Sequence, residues 1–331
     1  MPTWQPSTLK HRPEELMMLA DLSAAVLIFS LLMYLALDGT DLGVGMLFYA
    51  FDTPQQRQWM AHSLLPLWDA NETWLVLMAG GMLALFPALY SLLLQTLMVP
   101  VFLLLLALFL RALALAYRAQ VSRAWRVWLD RLMIASSLAA AFLPGWISGL
   151  ILVSRPPAGI IIDLSLAPLL CGAGVVAVDL LLGCCWICWR LDEAAGERAR
   201  SLAVLAWTCA VICLTGVILL EPTLWQLSWQ RAPGQLILIA IPLLIVLQAI
   251  LLWREAMVAL LMTTLLLVGA VVIALAFGLY PWLLPFQLRI QEEASSPVTQ
   301  GVVLTGMLIF LPLTLAYHSW SFWVFKRRHQ R

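Results

Sequence analysis

Asp38-Gly39-Thr40-Asp41-Leu42-Gly43-Val44-Gly45 and, after a short polar link, Pro66-Leu67-Trp68-Asp69-Ala70-Asn71-Glu72-Thr73-Trp74 decide how this chain reads. Both stretches place charge within otherwise apolar sequence. Asp38 and Asp41 stand three residues apart, as do Asp69 and Glu72, so each pair shares a helix face. An ionised Asp at the centre of a spanning helix costs roughly 2.5–3.5 kcal/mol on insertion scales, so such side chains turn toward protein or water. Four carboxylates in two neighbouring segments therefore point to a proton or cation path. The plainer alternative is that they cap or solvate helix ends at the membrane interface.

The surrounding chain sets the fold class. Of 331 residues, 63% are apolar and 11% charged, against about 25% charged in an average soluble domain. Nine apolar segments, each about as long as a bilayer crossing requires, fall near 21–51, 68–92, 96–117, 132–153, 164–189, 202–220, 234–253, 257–281 and 301–325. The expectation is an all-α polytopic membrane protein: nine transmembrane helices arranged as two four-helix bundles plus one peripheral helix. Residues 1–20 read as a polar tail and 21–331 as a single membrane domain. Apolar runs of this length exclude a β-barrel. The glycines should break the first helix, and Pro87 should kink the second. Pro100 marks the first turn of the third, and Gly80-Gly81 admits a close neighbour.

Basic residues give an orientation. The loops after helices 1, 3, 5 and 7 and the C-terminus hold thirteen Lys and Arg, among them Arg57, Arg118, Arg126, Arg190 and Lys326; the opposite side holds five, including Arg155. The positive-inside rule then puts the N-terminus outside and the C-terminus in the cytoplasm. Trp125, Trp128, Trp225, Trp229, Trp320 and Trp323 fall near helix ends, as in an interfacial belt. In this orientation Asp38, Asp41, Asp69 and Glu72 open toward the cytoplasm. Arg111, inside the third helix, is the natural counter-charge for one of them. Such a cluster suits proton uptake better than anion export.

Groups for redox or metal chemistry are not gathered in the sequence. The six cysteines lie in apolar runs and read as small buried hydrophobes. His318 is the one histidine within a spanning segment and reads as a packing residue. Asp179, in helix 5, either extends a polar path or bonds a neighbouring helix. No phosphate-binding or dinucleotide-binding glycine motif occurs. The chain alone lacks the means for redox catalysis.

The two acidic motifs resemble those of subunit II of cytochrome bd-type quinol oxidases. That family's Asp-Gly-Phe-Asp-Leu/Met-Gly-Val-Gly is similar to residues 38–45, and its Trp-Asp-Gly-Asn-Glu/Gln-Val-Trp-Leu to residues 68–75, with Thr40 and Ala70 as mild departures. Gly80-Gly81, Phe86-Pro87, Tyr90, Arg111, Tyr117-Arg118, Tyr280-Pro281 and Pro312 with Tyr317 and Trp320 follow in family order. The resemblance implies a subunit that binds no haem itself. Its partner, subunit I, would carry two b-type haems and a d-type (or third b-type) haem. Quinol would be oxidised and dioxygen reduced to water in the bacterial inner membrane. A small accessory membrane subunit and lipid would complete the contacts, with no nucleic acid involved. The family's cytoplasmic proton path uses the carboxylates matching Asp41 and Asp69, with Asp38 and Glu72 beside them. Arg111, Trp68, Asn71 and Trp74 would then serve as counter-charge or structural support. The alternative is a proton-coupled secondary transporter, which should show paired broken helices in corresponding halves.

Overall fold

A computed structural model describes residues 13–51, 53–66, 68–153, 162–191 and 193–324. Most of the N-terminal tail, Arg155 and the basic C-terminal cluster from Lys326 lie outside the described residues, as does the side chain of Trp323. The helices are α1 (Pro13–Leu47), α2 (Pro54–Leu64), α3 (Trp68–Leu85), α4 (Pro87–Thr96), α5 (Met98–Tyr117), α6 (Arg123–Leu152) and α7 (Leu166–Arg190). There follow α8 (Glu193–Leu220), α9 (Thr223–Trp229), α10 (Ala232–Trp253), α11 (Met257–Leu279), α12 (Ile290–Glu293) and α13 (Pro297–Val324). Between α11 and α12 lies a small hairpin, β1 (Trp282–Leu284) and β2 (Leu288–Arg289). Among the described residues eight helices are long and apolar enough to cross a membrane, or nine if α3 and α4 count as one bent span.

Two expectations about helix geometry change. The glycines do not break α1, which begins at Pro13, inside the expected tail, and runs unbroken through Gly39, Gly43 and Gly45. These glycines let other backbones in. A Cβ on Gly43 would lie 1.8 Å from the Asp179 carbonyl oxygen of α7, and one on Gly183 would lie 2.4 Å from the Gly43 carbonyl carbon. Gly39 and Gly43 are four apart and face the same neighbour, the small-residue spacing that brings membrane helices together. Pro87, in contrast, does more than kink its helix: α3 and α4 meet at 118°. The ring removes an N–H and crowds the preceding turn. The Leu85 carbonyl instead accepts a hydrogen bond from Ser295 N at 2.8 Å, so the segment before α13 caps the break.

The packing follows from these contacts. Helix α7 lies against α1, α6, α8 and α11, while α1 also meets α3, α6 and α13. One apolar cluster joins α1, α2 and α7 through Leu47, Met60, Leu64, Leu182 and Ile187; another joins α1, α5 and α6 through Leu42, Leu104, Leu108 and Ala140. Trp125, Trp128, Trp229 and Trp320 are exposed, as a belt requires, but Trp225 is buried against Ile241, Leu267 and Ala274. Proximity to a helix end in sequence did not reveal that α9 folds back onto α10 and α11. Of the glycine pair, Gly81 takes Met307 and Leu27 side chains at close range, whereas Gly80 has nothing within 4 Å.

Candidate functional site

The site forms where α1, α3, α5 and α13 come together. Gly39 and Gly43 press one face of α1 onto α7, which leaves Asp38 and Asp41 for the other neighbours. Asp38 and Arg111 are 0% and 1% exposed, and Arg111 Nη2 donates to Asp38 Oδ1 at 2.8 Å. The same Nη2 donates to Glu72 Oε1 at 2.7 Å. One guanidinium thus joins α1, α3 and α5, holding two carboxylates where one was expected. Burying such ions is tolerated only when they are paired and hydrogen-bonded.

Asp41 faces α3 one turn further along. Asn71 Nδ2 donates to Asp41 Oδ2 at 2.8 Å, and the Asn71 amide oxygen lies 3.1 Å from His318 Nε2 on α13. His318 Nδ1 in turn lies 2.8 Å from the Thr314 carbonyl, one turn back on its own helix. Trp74 is buried at this junction, its ring centroid 5.8 Å from Phe29 and 6.1 Å from His318.

The remaining expected residues sit apart. Asp69 is exposed in the first turn of α3, where the positive end of the helix favours a carboxylate. It shares a helix face with Glu72 but does not enter the buried cluster. Trp68 is half-buried and packs against the α1–α2–α7 core. Asp179 abuts Gly39, the residue next to Asp38, and borders an apolar cavity of about 200 Å³ with Trp207, Gln248 and Thr264. Below the cluster, Asp130 holds Arg118 at 2.6 Å and Arg57 at 3.1 Å, tying α2 and α6 to the end of α5.

Several polar atoms around the cluster are buried with no hydrogen-bond partner among the described residues: Tyr34 Oη, Asp38 Oδ2, Trp74 Nε1, and Arg111 Nε and Nη1. Buried polar atoms are as a rule bonded to protein or ordered water. Among the described residues, no group of three His, Cys, Asp or Glu side chains is placed to hold a metal ion. His318 is the residue that sequence reasoning set aside.

Comparison with known proteins gives consistent matches. The family model described as cytochrome bd terminal oxidase subunit II matches residues 19–325. A probable cytochrome oxidase subunit 2 of Haemophilus influenzae is 25% identical, over 86% of this chain and 88% of that protein. The cytochrome bd-I ubiquinol oxidase subunit 2 of Escherichia coli is 24% identical over the same shares. A chain of the bd oxidase structure from Geobacillus thermodenitrificans superposes with a TM-score of 0.79 at 19% identity, covering 93% of this chain and 98% of that one. That likeness bears on the fold alone.

Proposed function

This chain belongs to the cytochrome bd terminal oxidase subunit II family, and from that premise we propose that it carries protons from the cytoplasm toward the haem site of its partner. In this reading it is the non-haem subunit of a quinol oxidase. Subunit I holds the b- and d-type haems (or b-type alone), oxidises quinol and reduces dioxygen to water. The haems supply the electron chemistry; the residues of this chain hold and move protons. Its N-terminus lies outside the bacterial inner membrane and its C-terminus in the cytoplasm.

The observation that carries the reading is the buried acidic network itself. Among the described residues, Asp38 and Glu72 pair with Arg111, while Asp41 beside them is bonded to the neutral Asn71 amide, all within membrane-spanning helices. A surplus of carboxylates over cations is a place where protons can be held, and the unpartnered polar atoms around it suit water-mediated transfer. Exposed Asp69 serves as the entry, Glu72 and Asp38 as the polar lining, and Asp41 as the inner acceptor. Trp68 and Trp74 pack α3 in place, and Asn71 ties Asp41 to α13.

A scaffold role for the carboxylates makes a different prediction. Asp41→Asn and Asp69→Asn in the purified complex should leave assembly and the reduced-minus-oxidised haem spectrum intact, while quinol-driven oxygen uptake falls about 10-fold or more. Loss of assembly with unchanged turnover per haem would refute the relay. The transporter alternative lacks its expected partner feature. Among the described residues α3–α4 is the one bent pair, with no counterpart in the second half.

A further inference from the structure

We propose that His318 is the positioning residue for Asp41, and that Asp41, Asn71 and His318 form one hydrogen-bonded unit built to hold a single exchangeable proton. The proposal rests on the reading of Asp41 as a relay. His318 is 4% exposed, on α13 where it packs against α3 and α1.

The proton count follows from the partners. The Thr314 carbonyl can only accept, so His318 Nδ1 at 2.8 Å carries a hydrogen. His318 Nε2 meets one end of the Asn71 amide and Asp41 Oδ2 the other, at 3.1 and 2.8 Å. An amide has one accepting and one donating end. With its oxygen toward the ring, Nε2 must also carry a hydrogen: the ring is an imidazolium, and the NH2 group donates to an ionised Asp41. With the amide turned over, its NH2 donates to a bare Nε2, and its oxygen accepts from a protonated Asp41. Each arrangement satisfies the contacts with Thr314, His318 and Asp41 and holds the same number of protons; the first also keeps the longer Asn71 Nδ2 bond to the Leu37 carbonyl, at 3.4 Å, which the second gives up. One proton fewer leaves two acceptors face to face for every tautomer and amide orientation; one more has to sit on Asp41 Oδ1, outside these three contacts. Passing from the first arrangement to the second moves one proton from His318 Nε2 to Asp41 Oδ2 and turns the amide over. No electron moves.

The other ionisable groups facing this unit are Asp38 on α1, Glu72 on α3 and Arg111 on α5, all toward Asp41, and Tyr317 on α13, whose ring meets the imidazole. None of them bonds the imidazole, whose two partners are Thr314 and Asn71. His318 thus gives the proton of Asp41 a second seat within the same chain of hydrogen bonds.

The test uses the purified oxidase complex containing this chain. Quinol-driven oxygen uptake is followed against pH for the wild type, His318→Gln and Asn71→Leu. Glutamine fills the space and can bond both neighbours but cannot carry the proton. The alkaline limb should move down by about one pH unit in both variants. A His318→Gln profile that superimposes on the wild type overturns the proposal; should that variant not assemble, Asn71→Leu decides by the same criterion. Infrared difference spectra give a second reading. The carboxyl band lost in Asp41→Asn should be displaced in His318→Gln, and an undisplaced band also overturns the proposal. Normal turnover in Asp41→Asn would instead remove the relay reading, with the infrared band still deciding the shared proton.

Discussion

Arg111 is the residue on which the cluster depends. It is buried, and its one Nη2 serves Asp38 and Glu72 together. Removing one partner of a buried ion pair costs about 3–5 kcal/mol, because the other charge is left uncompensated. Arg111→Leu should therefore sharply reduce the yield of assembled complex, read as haem recovered per milligram of membrane protein. Glu72→Gln should assemble close to normally, since its side chain is 23% exposed and an amide still accepts from Arg111. Equal yields for Arg111→Leu and the wild type would contradict the structural account of the cation. Asp38, Asp41, Glu72 and Arg111 drew attention because charge within an apolar run needs a reason, whereas Asp69, which the same reasoning grouped with them, is exposed. His318 drew none, because its partner Asn71 lies 247 positions away in the chain. No local pattern marks a histidine whose role is set by a helix so distant in sequence.

At the scale of elements, the glycines of α1 set its distance from α7. A Cβ at Gly43 would stand 1.8 Å from backbone, so the two helices must separate to accept it. Gly43→Ala should destabilise the complex by about 1–3 kcal/mol or more, measured as a lowered thermal midpoint in detergent. Gly80→Ala, with nothing within 4 Å, should leave the midpoint unchanged. The reverse ranking would show that α1 and α7 do not pack as described. Glycine in a helix was read from its cost in propensity, but Gly39 and Gly43 are kept for what they let approach. The 118° turn between α3 and α4 was legible only in part. Pro87 announced a break, whereas its size depends on Ser295 capping Leu85 from the other end of the chain.

Over the whole molecule, spanning helices, apolar clusters and one buried acidic network answer the composition directly. Hydropathy located every long helix, because apolar runs of bilayer length have few other uses. It did not reveal α2, α9 or α12, which are too short to cross a bilayer. Helix α2 begins at Pro54 after a Thr53 cap and is fastened by Arg57 to Asp130. In the proposed route, protons enter this chain from the cytoplasm and reach the partner through Asp41. The most direct measurement is proton uptake from the cytoplasmic side during a single turnover of the fully reduced complex with dioxygen in oriented vesicles. The wild type should take up protons as oxygen is reduced, and Asp41→Asn should slow that phase about 10-fold or more while electron entry from quinol stays unchanged. Uptake at the wild-type rate in Asp41→Asn would contradict the account.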